Sequence, residues 1–350
     1  MSAVDGVSRN DQRRALCLST VAFTVCFAVW TIFAIIGVEI KSELGLSETQ
    51  FGILVATPVL TGSLSRLMLG IWTEQYGGRL VFPLQMLLAA AATFLLTSAT
   101  TYPLFLLAAL GVGLAGGSFA VGVTYVSHWY PPEKQGTALG IFGAGNVGAA
   151  VTKFGAPFVM VAFGWQAVAN VWAFALAAIA VIFFVFSKND PVFEARRRSG
   201  AKATTVAAQL APLKNLQVWR FSLYYFFVFG AFVALALWLP HYLVDVYGVD
   251  IRTAGMAAAA FSLSASLFRA YGGHLADRFG ALSRAGTGWI SDRFGGGRVT
   301  FWTFVGMFVA VVGVLQFLPH GGVGGNFWAF FACFMALFFL TGVGNASTFQ

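Results

Sequence analysis

Ten stretches of this 350-residue chain are each long and apolar enough to cross a lipid bilayer. A membrane-spanning helix needs about 20 mostly apolar residues. Such runs lie at approximately 15–38, 50–72, 80–99, 104–129, 137–161, 165–187, 219–242, 253–275, 299–318 and 326–350. They are continuous rather than alternating, which predicts helices and not barrel strands. The first run is too long, and too closely followed by others, to be a cleaved leader. The composition agrees: 58% of residues are hydrophobic and only 10% charged, against about 25% charged in soluble domains. A disordered chain, a nucleic-acid-binding domain and an ordinary soluble enzyme are excluded. Cys17, Cys26 and Cys333 sit in apolar runs without metal-ligand spacing, so neither a disulfide framework nor a zinc site is expected. The predicted fold class is an all-α membrane protein.

The basic residues orient the chain. Sixteen of the 21 lie in alternate connections: the N-terminus, and the segments after the second, fourth, sixth and eighth runs. The opposite connections hold only Lys41 and Arg252. Loops rich in Lys and Arg stay in the cytoplasm, so the N-terminus is expected there, in a multi-pass protein of the cell's inner membrane. The net charge of +8 is mostly this topology signal and requires no nucleic-acid partner. Three basic residues remain inside the spans, Arg66, Lys153 and Arg269, whereas all 13 acids fall in termini, loops or span ends.

Residues 188–218 form the longest polar stretch. They divide the chain into a six-span half (1–187), a cytoplasmic linker (188–218) and a second half (219–350) with about four spans. The halves share a pattern. Arg66 is followed by Gly70, Glu74, Tyr76 and Gly77, and Arg269 by Gly273, Asp277, Phe279 and Gly280, at identical spacing. Such half-repeats are expected in secondary transporters, with the substrate site near the midplane between the halves. A shorter repeat lies near 267–295. Leu267-Phe268-Arg269-Ala270 returns fifteen residues later as Leu282-Ser283-Arg284-Ala285, and Asp277-Arg278-Phe279-Gly280 as Asp292-Arg293-Phe294-Gly295. Arg269 and Arg284 therefore compete for one role. Arg269 is favoured because the apolar run 253–268 leads straight into it.

These residues carry a resemblance. The two-half layout and the loop pattern Gly70…Glu74-Gln75-Tyr76-Gly77-Gly78-Arg79 resemble the major facilitator superfamily. Three glycine-rich strings narrow it further: Gly111-Val112-Gly113-Leu114-Ala115-Gly116-Gly117-Ser118-Phe119, Gly143-Ala144-Gly145-Asn146-Val147-Gly148, and Thr341 to Gln350 around Gly344-Asn345. With them the chain is similar to the nitrate/nitrite porter family. The resemblance implies a helical bundle of an expected 12 spans, of which about 10 are present, so the chain reads as a partial porter without the last two helices. It implies transport of nitrate and nitrite by alternating access, by proton symport or by nitrate/nitrite exchange. It also implies a monomer in the lipid bilayer with no cofactor.

The resemblance places Arg66 and Arg269 as the two substrate-binding arginines. The chemistry fits: a guanidinium is planar and offers paired donors to a planar oxyanion, and an arginine in the membrane interior marks a pathway. Asn146 and Asn345 can offer amide donors to an anion or bond across helices. Phe27, Phe119 and Tyr225 align with aromatics that line the family's pocket, where ring edges carry partial positive charge. Lys153 lies seven residues after Asn146, on the same helix face. It could bind an anion or couple anion movement to a proton. Gly70, Glu74, Gly77, Arg79, Asp277 and Arg278 resemble the superfamily's gating loop contacts. The four histidines, at span ends or in loops, have no metal-ligand spacing. An enzyme is not expected, because the spans hold no nucleophile elbow, carboxylate pair or metal motif. The alternatives are a porter of another small anion, such as formate or a carboxylate, and a truncated porter without activity.

Overall fold

A computed structural model describes residues 7–201, 205–285, 296–317 and 327–347; for 133, 269–285, 296–300, 327 and 342–347 it describes the backbone alone. All regular structure among the described residues is helical. Among the described residues, eight helical stretches are long and apolar enough to cross a membrane, and Phe301–Gln316 and Trp328–Thr341 are shorter apolar helices. Together they fall on the ten expected runs.

Span 1 is longer than the apolar run and is broken. Helix α1 (Arg9–Trp30) and α2 (Phe33–Leu44) meet at Thr31, whose hydroxyl donates back to the carbonyl of Phe27 at 3.0 Å. Such back-bonding competes with the helical ladder. Span 2 is α3 (Glu48–Tyr76), opened by a reciprocal cap in which Ser47 accepts from the amide of Gln50 and the Gln50 side chain accepts from that of Ser47. The chain then reverses in one residue. Gly77 has φ +83°, a conformation that a Cβ disfavours, and α4 (Gly78–Leu95) starts at once.

The glycine strings interrupt spans 4 and 5. Span 4 is α5 (Tyr102–Gly113) and α6 (Ser118–Ser127), joined by a 3-10 turn at Leu114–Gly117. Span 5 is α7 (Pro132–Gly143) and α8 (Gly148–Phe163), joined by a similar turn at Ala144–Val147. The strings also let backbones touch. A Cβ on Gly113 would stand 2.7 Å from the Pro58 carbonyl of span 2, and one on Gly148 would collide with the Thr24 carbonyl of span 1. Close approach of this kind is how small residues join helices in a bilayer.

Span 6 is α9 (Trp165–Phe186). The polar stretch after it carries two short helices, α10 (Pro191–Ser199) and α11 (Val206–Leu210). Then come α12 (Leu216–Tyr247), α13 (Ile251–Ala285), α14 (Gly296–Gln316) and α15 (Phe327–Ser347). Helix α13 continues ten residues past its apolar run and carries the first copy of the short repeat; 286–295, with most of the second copy, lie outside the described residues. Helix α1 packs on α6, α7, α8 and α9; α13 packs along α7 and α8 and on α15; and α12 packs on α2, α13 and α15. The outside of the bundle is apolar: Leu64, Phe174 and Phe308 are each more than 60% exposed. In water such a surface would aggregate, whereas lipid tails cover it at no cost.

Candidate functional site

Arg66 stands on α3 two turns beyond Pro58, and it faces a cavity of about 450 Å³ between α3 and α12. Trp30, Ser63, Tyr225, Phe229 and Trp238 are among the lining residues. The guanidinium carbon lies 5.4 Å from the ring centre of Phe229, 5.8 Å from Phe119 and 5.9 Å from Trp30. Arg66 Nε donates to the carbonyl of Gly116 at 3.3 Å, in the glycine-rich turn of span 4. Among the described residues no carboxylate pairs with Arg66. Three aromatic faces and one carbonyl stabilise the cation without neutralising it. Its charge stays available to an anion in the cavity.

The expected aromatics gather here. Tyr225 lies nearly parallel to Phe229, with ring centres 5.0 Å apart, and stacks on Phe119 at 6.5 Å. Phe27 is buried behind this wall, 5.1 Å from Trp30 and 6.5 Å from Phe229, and does not line the cavity. The cavity itself is lined by side chains from spans 1, 2 and 7, and Phe119 of span 4, like Phe27, stands behind them.

Two expected residues lie elsewhere. Asn146 is buried in the turn between α7 and α8, which packs on α1 and α13. Its Oδ1 has no hydrogen-bond partner among the described residues. Lys153 is fully buried on α8, and its Nζ donates to Ser262 Oγ of α13 at 2.6 Å. Ser262 in turn donates to the carbonyl of Ala258 at 3.1 Å. Neither Asn146 nor Lys153 lines the cavity at Arg66. Arg269, Asp277, Arg278 and the competing Arg284 lie on α13, and Asn345 on α15, but their side chains lie outside the described residues.

The loop-motif residues are used within spans 1–6. Gly77 makes the turn between α3 and α4. Arg79 lies 5.4 Å from the ring centre of Phe184 on α9. A Cβ on Gly70 would meet nothing within 4 Å. Glu74 meets His128, just past the end of span 4, at 3.2 Å from Nε2. On the other side of the ring, Nδ1 lies 2.9 Å from Asp190 Oδ1, and Asp190 also accepts from the amide of Phe193 to cap α10. Arg196 of α10 donates to the Glu74 carbonyl. Burial opposes the charge on His128, but hydrogen bonds to Asp190 and Glu74 and their charges outweigh it, pushing its pKa from 6.5 up to about 9.

A second polar cluster lies at the opposite end. Lys41 of α2 pairs with Glu48 of α3, and His241 Nε2 of α12 lies 3.1 Å from Glu48. Donor atoms of Glu48, His241 and Asp245 come within 4.8 Å of one another, a set that could hold a cation. The Lys41 ammonium, 3.4 Å from His241 Nε2, already supplies one.

Sequence reasoning missed Trp30, Phe229 and the Gly116 carbonyl. The signals were weak: Phe229 follows Tyr225 by one helical turn, and Trp30 follows Phe27 by three residues, in a chain with 37 Phe and 10 Trp. It also missed the histidine clusters, because their partners come from distant parts of the chain.

Comparison with known proteins identifies the family. The model of the Major Facilitator Superfamily matches residues 18–350. A probable nitrate/nitrite antiporter of Thermus thermophilus is 41% identical over 90% of this chain and 69% of its own length. A nitrite extrusion protein of Bacillus subtilis is 32% identical over 97% of this chain and 79% of its own. In fold, the chain is similar to a bacterial homolog of the human lysosomal transporter Spinster in an inward-facing, unoccupied conformation. The TM-score is 0.69 at 18% identity, over 98% of this chain and 75% of that one. The chain belongs to the Major Facilitator Superfamily, among its nitrate/nitrite porters.

Proposed function

We propose that this chain moves nitrate and nitrite across the cytoplasmic membrane by exchange, with Arg66 as the anion-binding group and its N-terminus in the cytoplasm. One observation carries the reading: a guanidinium in the apolar interior, held by three rings and one carbonyl, with no carboxylate partner among the described residues. A carboxylate beside it would compete with any anionic substrate. The relatives' names support the substrate, since one is a probable nitrate/nitrite antiporter and another a nitrite extrusion protein.

In this reading the two halves rock around the cavity, and Arg269 supplies the second guanidinium from the pseudo-symmetric position. Exchange of one anion for another needs no titrating group. Lys153 fits exchange better than proton symport, because it is buried away from the cavity and tied to Ser262. Tyr225 lines the cavity and Phe119 and Phe27 stand behind it, while Asn345 is the candidate amide donor and Asn146 lies away from the cavity. The protein works as a monomer in the bilayer.

A second reading keeps the fold and changes the cargo. A cavity of about 450 Å³ is larger than one nitrate fills, which favours testing formate and small carboxylates too. The test is nitrate-driven efflux of preloaded nitrite from proteoliposomes, with and without a pH gradient. Exchange indifferent to the gradient supports the reading, and gradient-driven net uptake replaces it with symport. Arg66→Lys should reduce exchange by at least about tenfold, because a point charge lacks the planar fork. Normal exchange by that variant would remove Arg66 from the site.

A further inference from the structure

Trp30 is one of the three rings around Arg66, and its own surroundings are unusually specific. It is the last residue of α1, at the break in span 1, and only 2% exposed. Its indole N–H donates to the carbonyl of Pro58 at 2.8 Å. The N–H edge fills a slot between two glycines. A Cβ on Gly62 would stand 2.8 Å from the indole nitrogen, and a Cβ on Gly116 would stand 2.6 Å from it. No residue but glycine at 62 and 116 leaves room for the ring. The Gly116 that closes the slot is also the residue whose carbonyl receives Arg66 Nε. One short segment therefore fixes the indole and the guanidinium together, and the ring centre ends 5.9 Å from the guanidinium carbon.

We infer that Trp30 is a positioning residue for the anion site: locked by Gly62, Gly116 and the Pro58 carbonyl, it holds the Arg66 guanidinium in place without a counter-ion. This rests on Arg66 as the anion-binding group. The physical reason is that no carboxylate meets Arg66 among the described residues. A cation in the membrane interior must be stabilised by something, and a carboxylate would cancel the charge that the substrate needs. An aromatic face attracts the cation through its quadrupole and leaves its net charge intact. Phe119 and Phe229 present faces too. Trp30 differs in being anchored by a hydrogen bond to the same helix, α3, that carries Arg66.

The test compares the full chain with Trp30→Leu and Trp30→Phe. Two readouts are taken in the same proteoliposomes. The first is anion exchange, with nitrate, nitrite and formate each tried as the driving anion. The second, independent of transport, is the rate at which phenylglyoxal modifies Arg66, followed by mass spectrometry. Trp30→Leu should raise the KM of the exchanged anion about tenfold, as expected for loss of one desolvated cation–π contact, with a smaller change in maximal rate. It should also speed Arg66 modification severalfold. Trp30→Phe keeps a ring, loses the N–H and should fall between. Unchanged KM and unchanged labelling in a folded Trp30→Leu protein would overturn the inference. An equal loss of maximal rate and thermal stability in both variants, with KM and labelling unmoved, would also overturn it by making Trp30 purely structural. If the unmodified protein exchanges formate but neither nitrate nor nitrite, the proposed substrate is wrong, and Trp30 is still judged on the formate KM. If it exchanges none of the three, the labelling comparison alone decides for or against Trp30.

Discussion

Raising the pH should loosen the end of this protein that carries α10 through one residue. His128 offers Nδ1 to Asp190 and Nε2 to Glu74, at 2.9 and 3.2 Å. Two carboxylates can be bonded at once only if both ring nitrogens carry a proton, so the native contacts select the imidazolium. The pKa rises accordingly from 6.5 to about 9. A gap of that size corresponds to on the order of 3 kcal/mol favouring the folded state while the ring is protonated. The folded value lies above the unfolded one. The contribution is therefore fully present below pH 6.5 and is lost as the pH climbs through 9. The assay is thermal unfolding of the purified protein between pH 6 and 9.5. The wild type should lose several degrees across that window. His128→Gln should start lower and lose much less, since its amide bonds only one carboxylate well and does not titrate. Asp190, buried at the cap of α10, would keep its bond to the Phe193 amide. A wild type whose transition is flat from pH 6.5 to 9, or a His128→Gln protein with the wild-type slope, would refute the reasoning.

Two other substitutions probe packing. Gly148→Ala drives a methyl into the Thr24 carbonyl of α1, a backbone atom that cannot swing aside; the variant should unfold at markedly lower temperature than a control Gly70→Ala, whose Cβ meets nothing. Ser262→Ala removes the partner that Lys153 Nζ bonds at 2.6 Å and should cost about 1–3 kcal/mol. The Lys153→Met, Ser262→Ala double variant should recover part of that loss in a thermal double-mutant cycle; strictly additive losses would show that the two side chains do not interact.

Much of this protein was legible in its sequence because a bilayer is a severe solvent. Every backbone donor and acceptor in hydrocarbon must be satisfied within its own helix or within a closed barrel. Each long apolar run therefore announced a helix. The glycine strings were visible as well, and Arg66 stood out as a cation with no acid near it in sequence. What the strings do was not visible. Gly113 lets span 4 touch the Pro58 carbonyl, Gly116 seats Trp30 and presents its carbonyl to Arg66, and Gly148 seats span 5 on span 1. Helix periodicity says which face a residue occupies but not which neighbour that face meets.

The same gap explains the polar residues. Lys153 shares a face with Asn146 by spacing, and the sequence left both anion binding and proton coupling open for it. Tertiary packing put Ser262 of α13, 109 residues away, against its ammonium. His128 looked like an interfacial side chain until α3 and α10 brought Glu74 and Asp190 to its two nitrogens. The sequence by itself determined the membrane helices and the candidate anion-binding cation, because both follow from solvation of single segments. Only the tertiary structure decided what surrounds that cation and which buried polar groups are tied up elsewhere, because those depend on contacts between segments far apart in the chain.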